Sequence, residues 1–157
     1  MIRYARFATP LGTVFATATD ESLTGIYFEG QRYAPSILPD WVESPRHAPL
    51  AEYFDGKRRD FELPLAPVGT DFQQRVWREI ARIPFGATRS YAELATRAGA
   101  PGAARAAGAA TGRNPLSIVV PCHRVVGSGG SLTGYAGGLE RKARLLGIEA
   151  APEAALA

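Results

Sequence analysis

The apolar, β-branched run Ile118-Val119-Val120 leads into Pro121-Cys122-His123-Arg124-Val125-Val126, and this stretch constrains the chain more than any other. β-Branched residues favour extended backbone and proline stops a strand. The pattern predicts a buried strand that ends at Cys122, the only cysteine, beside one of only two histidines. A lone cysteine is by default a small buried hydrophobe. Here Asn114, His123, Arg124, Tyr135, Lys142 and Glu149 gather around an apolar run, and a merely packed thiol needs none of them. A thiol so placed becomes a nucleophile when a neighbour removes its proton.

The remaining composition narrows the class. A chain of 157 residues with 46% hydrophobic content suits one globular domain or two small ones sharing a core. No apolar run approaches a membrane span, and Met1-Ile2-Arg3-Tyr4-Ala5-Arg6 lacks the apolar centre of a signal peptide. One cysteine excludes an internal disulfide and a cysteine-based zinc site, and it fits a reducing cytoplasm. Charge is uneven. Residues 1–70 hold 7 Lys+Arg against 9 Asp+Glu, whereas residues 71–157 hold 11 against 6. Ten of those 11 cations are arginine, which reads either as a solvated surface or as a face for a polyanion.

Three short strands are predicted over Ile2–Ala8, Gly12–Thr19 and Ser22–Phe28, with turns at Pro10-Leu11-Gly12 and Thr19-Asp20-Glu21. Gly30–Ser44 reads as an irregular loop, His47–Phe54 as a short helix ended by Gly56, and Phe61–Leu65 as a further strand. Thr70-Asp71-Phe72-Gln73 and Ser90-Tyr91-Ala92-Glu93 are capping boxes. The first opens a helix with Phe72, Val76, Ile80 and Ile83 on one face. The second opens a short helix to Arg97, stopped by Gly99. Pro101 is placed to begin a third helix over 101–111, giving a helix-turn-helix. That helix is nearly all alanine and glycine around a single Arg105, which suits either a tight core helix or one pressed on a phosphate backbone. Gly127-Ser128-Gly129-Gly130 lacks the Lys-Ser/Thr of a phosphate loop and reads as a turn. Leu139–Ile148 is predicted to be an amphipathic helix, and Ala150–Ala157 a frayed tail.

Ser90-Tyr91, Arg105, Arg113-Asn114-Pro115, Pro121-Cys122-His123-Arg124-Val125-Val126, Gly134-Tyr135-Ala136-Gly137-Gly138-Leu139, Lys142 and Glu149 occur in one order. In this the chain closely resembles the O6-alkylguanine-DNA alkyltransferases, or methylated-DNA–protein-cysteine methyltransferases. The resemblance is strong over about residues 70–149 and loose over 1–69. Relatives that bind alkylated DNA without repairing it have lost the cysteine kept here as Cys122.

The resemblance implies that Cys122 takes the alkyl group from O6 of guanine, once per molecule and without a cofactor. His123 acts through a water as base, and Glu149 holds the imidazole. Tyr91 donates to the purine and crowds the backbone phosphate. Lys142 and Tyr135 line the pocket with Arg124, Asn114 braces its turns, and the backbone at Cys122, Val125 and Ala136 reads guanine. Arg105 enters the stack when the nucleotide is turned out, a step costing roughly a few kcal/mol. Ala103, Ala104 and Ala107, with Arg113 nearby, contact the minor groove. The partner implied is duplex DNA carrying O6-alkylguanine, met by a monomer; O4-alkylthymine activity and cooperative assembly on DNA stay open. The zinc site of some relatives is absent, because no cysteine lies in the first half. Arg89 and Thr111 stand where the family often has aliphatic or small residues.

The expected fold is therefore α/β of the α+β kind. A small antiparallel sheet with a helix (1–69) precedes a mostly helical part with the helix-turn-helix and Cys122 (70–157). Two rival functions are a Cys-His hydrolase, which needs turnover, and a non-enzymatic lesion binder, against which the retained cysteine argues.

Overall fold

The computed structural model describes residues 2–19, 22–43, 48–59, 61 and 64–150. Strands β1 (Arg3–Thr9), β2 (Gly12–Ala18) and β3 (Leu23–Phe28) form the expected antiparallel meander. Ala5 and Phe7 alternate inward on β1, while the central β2 is buried on both faces from Val14 to Thr17. Two details differ from the sequence reading. Val42–Glu43 forms a short β4, parallel to β1, inside the segment expected to be a loop. The strand expected over Phe61–Leu65 is, in its described residues, one parallel bridge between Leu65 and Leu23; residues 62 and 63 lie outside the description.

Helix α1 (Ala48–Phe54) ends in a Schellman turn, with Lys57 N donating to Glu52 O and Gly56 N to Tyr53 O. Gly56 has φ +75°, which explains the glycine. The expected helix start at His47, the turn residues Asp20 and Glu21, and the tail beyond Ala150 lie outside the described residues.

Both capping boxes are formed. Thr70 opens α2 (Asp71–Ala81), and Ser90 opens α3 (Tyr91–Arg97). Helix α4 spans Ala104–Gly112 and does not begin at Pro101. Gly102 adopts φ +82°, a left-handed break that leaves Pro101 in the preceding turn. Tiny side chains let α4 pack closely. Ala107 and Ala110 are buried, and the Trp77 indole N–H reaches the Ala110 carbonyl at 2.8 Å. Helix α5 spans Leu139–Ala150 and buries Lys142, Leu145 and Glu149, a stripe at helical spacing. No helix among the described residues is long and apolar enough to cross a membrane.

The strand expected over Ile118–Val120 is absent. The segment coils instead, with Val119 N bonded to Ser117 O and Val120 N to Leu116 O. Cys122–Arg124 then makes one turn of 3-10 helix. Asn114 explains the coil, because its side chain accepts from Leu116 N at 2.9 Å and donates to Val120 O at 2.8 Å. Ile118 is consequently held at φ +76°, unusual for a β-branched residue, with its side chain buried. A short apolar run marks burial but does not by itself specify extension. Val125–Val126 (β6) follows and pairs in parallel with Arg89–Ser90 (β5).

One core draws on both halves of the chain, from Phe7, Val14 and Ile26 to Leu94, Val125 and Leu145. Strand β3 grips the Asn114 coil directly: Ile26 N donates to Pro115 O at 2.7 Å, and Ser117 N donates to Ile26 O at 3.3 Å. The packing of α4 yields a test. Ala107→Leu is expected to destabilise the fold by about 1–3 kcal/mol through overpacking. Ala106→Leu, on the exposed face, is expected to stay within about 0.5 kcal/mol. Equal denaturant midpoints for the two variants would contradict the packing described.

Candidate active site

Cys122 lies at the base of an open cleft of about 900 Å³, also lined by Tyr91, Tyr135 and Ala136, with Arg32, Tyr33 and Arg113 among its other lining residues. The residue is 4% exposed. Burial pushes its thiol up to about 11, against the lowering effect of a hydrogen bond from Asn114 and the charge of Lys142. The resting thiol is therefore protonated near neutral pH and needs a base to react.

The candidate for that base is in the same 3-10 turn. His123 is fully buried, and its Nε2 lies 2.7 Å from Glu149 Oε2. Burial lowers the imidazole below its ordinary value, opposed by the hydrogen bond and charge of Glu149. Burial alone would raise the Glu149 carboxyl. Hydrogen bonds from His123 and Arg124, with their charges, outweigh it and bring Glu149 down to about 2. An ionised carboxylate only accepts, so Nε2 carries the hydrogen and Nδ1 keeps its lone pair. Nδ1 is buried with no hydrogen-bond partner among the described residues.

Arg124, expected among the pocket residues, binds Glu149 instead. Its Nε meets Oε1 at 2.7 Å, Nη2 meets Oε2 at 3.0 Å, and Nη1 donates to the Ile83 carbonyl at 2.7 Å. A buried guanidinium requires such an anion, which accounts for the correction. The sequence reading missed Tyr53 altogether. Its hydroxyl donates to Glu149 Oε2 at 2.7 Å across 96 residues of sequence, and an aromatic residue on a short helix signals only core.

The cleft walls use the other expected residues. The Tyr91 hydroxyl donates to the Thr133 carbonyl at 3.0 Å. Lys142 Nζ donates to the same carbonyl at 2.7 Å and to Gly134 O at 3.0 Å. Lys142 is fully buried, which draws its ammonium down to about 8 despite the opposing pull of Cys122. Ala136 is fixed through its carbonyl, which accepts from Arg32 N at 3.2 Å. Tyr135 packs half-buried against the core, its hydroxyl buried beside Ser117. Val125 is fully buried in β6 beneath this floor, and Asn114 stands behind it as a brace.

On the outer face, Arg105 projects into solvent from α4, with Ala103 and Ala104 half-exposed beside it. Ala107, expected to touch a groove, is fully buried: it sits on the face of α4 turned to the core, so any groove contact falls to its neighbours. Arg113 stacks on the Tyr33 ring at 3.9 Å. Thr111 is buried and turns its hydroxyl back onto the Ala107 carbonyl at 2.7 Å, so α4 absorbs it. Among the described residues no group of three or more His, Cys, Asp or Glu side chains could hold a metal.

Comparison with known proteins gives a consistent assignment. Residues 2–67 match the 6-O-methylguanine DNA methyltransferase ribonuclease-like domain, and residues 71–151 match the DNA binding domain of the same name. A methylated-DNA–protein-cysteine methyltransferase of Mycolicibacterium paratuberculosis is 47% identical over 154 residues, covering 95% of this chain and 93% of the relative. The constitutive enzyme of that name from Bacillus subtilis is 41% identical over 160 residues, covering 93% and 94%. The crystal structure of the Mycobacterium tuberculosis O6-methylguanine methyltransferase superposes with a TM-score of 0.87 at 44% identity, covering 97% of this chain and 94% of that one. A structure of the M. tuberculosis protein in complex with DNA also gives 0.87, at 41% identity and 98% coverage of each chain. These matches extend over both halves of the molecule, and the chain belongs to the 6-O-methylguanine DNA methyltransferase family.

Proposed function

We propose that this chain repairs DNA by moving the alkyl group of O6-alkylguanine onto Cys122, once per molecule. The observation that carries this reading is Cys122, at the base of a cleft large enough for a purine, in the same 3-10 turn as a buried His123 whose Nε2 is bound by Glu149 and whose Nδ1 has no partner among the described residues. In the reaction the Cys122 Sγ–carbon bond forms as the carbon–O6 bond breaks. The thiol proton passes to His123 Nδ1 through a bridging water, and Glu149 stabilises the imidazolium. The leaving guanine is a poor anion. Lys142, with two of its three ammonium donors on the wall, can supply a hydrogen bond to it directly, and Tyr91 can once its hydroxyl releases the Thr133 carbonyl. A thioether has no ready leaving reaction, so the protein is consumed.

A base inside a duplex cannot reach this thiol. The nucleotide must rotate out of the stack, and Arg105, exposed on α4, is the side chain proposed to fill the gap. The half-exposed Ala103 and Ala104 suit a narrow minor groove, where little sequence is read. The DNA complex of the M. tuberculosis relative supports DNA as partner.

Intact-mass analysis after mixing with duplex DNA carrying O6-methylguanine is expected to find one methyl per chain, on Cys122. Repeated turnover would favour a hydrolase, and binding without a mass change a lesion binder. The same assay with O4-methylthymine measures whether that base shares the route. Arg105→Ala is expected to slow repair of duplex DNA by about tenfold or more, the loss expected when unstacking by roughly a few kcal/mol goes uncompensated. Reaction with free O6-alkylguanine should be unchanged; equal losses on both substrates would remove the role given to Arg105.

A further inference from the structure

We propose that Tyr53 is a positioning residue for alkyl transfer, its hydroxyl setting how strongly Glu149 pulls on His123. This rests on the reading of His123 as the base. Glu149 Oε2 accepts from His123 Nε2 at 2.7 Å, from Tyr53 OH at 2.7 Å and from Arg124 Nη2 at 3.0 Å. Tyr53 is 1% exposed, and its ring is held by Phe54 edge-on at 5.4 Å and by Phe61 at 6.0 Å. A buried tyrosine hydroxyl needs a partner, and the one it has is the relay carboxylate.

Each donor on Oε2 drains negative charge that would otherwise stabilise the His123 imidazolium. Burial, then the charge and hydrogen bond of Glu149, push the Tyr53 phenol well above its ordinary value, so it remains a donor throughout the working pH range. The charged and titratable groups around the relay are Glu149 and Lys142 from α5, Arg124 and Cys122 from the 3-10 turn, Tyr53 from α1, and Tyr135 from the cleft wall. Glu149 titrates near 2 and Lys142 near 8. The acid limb of the rate therefore reports His123. Without the Tyr53 hydroxyl, Glu149 holds the imidazolium more tightly, His123 becomes more basic, and that limb moves to higher pH.

The test is single-turnover methyl transfer from saturating O6-methylguanine duplex, measured across about pH 5 to 9 around the histidine range. Tyr53→Phe should raise the maximal rate, by about threefold or more, because the freed carboxylate stabilises the imidazolium better and makes His123 the stronger base. The acid limb should rise by about half a pH unit or more, with DNA affinity unchanged. A 15N titration of His123 by NMR should move in the same direction without any turnover, so it reads the coupling even if transfer itself fails. A wild-type protein that transfers, beside a Phe variant with the same rate, limb and His123 midpoint, overturns the inference and leaves the relay standing. Should the Phe variant not fold, 3-fluorotyrosine at position 53 keeps the shape and donates more strongly. It must move the limb and the midpoint downward; unmoved values overturn the proposal.

Discussion

The carboxylate of Glu149 is the interaction on which the catalytic half depends. It sits in the last turn of α5 and binds His123, Arg124 and Tyr53 at once, joining α5, the 3-10 turn of Cys122 and α1. Charges this deeply buried persist only when every donor and acceptor is matched. Removing one partner from such a set typically costs about 3–5 kcal/mol. Those same contacts orient the histidine, so structure and chemistry draw on one group. The Cys122 thiol stays protonated near neutral pH, because burial outweighs the lowering effect of Asn114 and Lys142.

The first half of the chain is a working part of this arrangement. Strand β3 anchors the coil that carries Cys122 through Ile26, Leu116 and Ser117. Arg141, on α5 beside Lys142, donates to the Leu11 carbonyl at 2.9 Å and lies over the Phe28 ring. Arg32 N holds the Ala136 carbonyl, and Tyr53 reaches Glu149. The cleft wall at Thr133–Gly134 is tied from the other side by Tyr91 and Lys142. The one hydroxyl hydrogen of Tyr91 is thus occupied, as are two of the three donors of the Lys142 ammonium.

Much of this is legible in local chemistry alone. The two capping boxes marked the starts of α2 and α3, because the residues that satisfy free helix N–H groups are few and regularly spaced. The meander was readable from β-branched runs broken by turn residues. What stayed hidden depends on partners remote in sequence. The two-residue strands β4, β5 and β6 are too short to carry a pattern. Ile118-Val119-Val120 signalled burial correctly and extension wrongly, since Asn114 bends it. The roles of Arg124 and Tyr53 followed from a carboxylate 25 and 96 residues away. Ala107 could not be told from its outward neighbours when nearly every side chain of α4 is small.

On the proposed reading, Glu149 makes His123 a competent base for Cys122. The most direct measurement is the single-turnover transfer rate of Glu149→Gln at saturating methylated duplex, on protein shown by circular dichroism to be folded. The amide keeps the shape but loses the charge that stabilises the imidazolium. The rate should fall by about a hundredfold or more, the usual contribution of positioned acid–base catalysis. A folded variant transferring within a few-fold of the native rate would contradict the account.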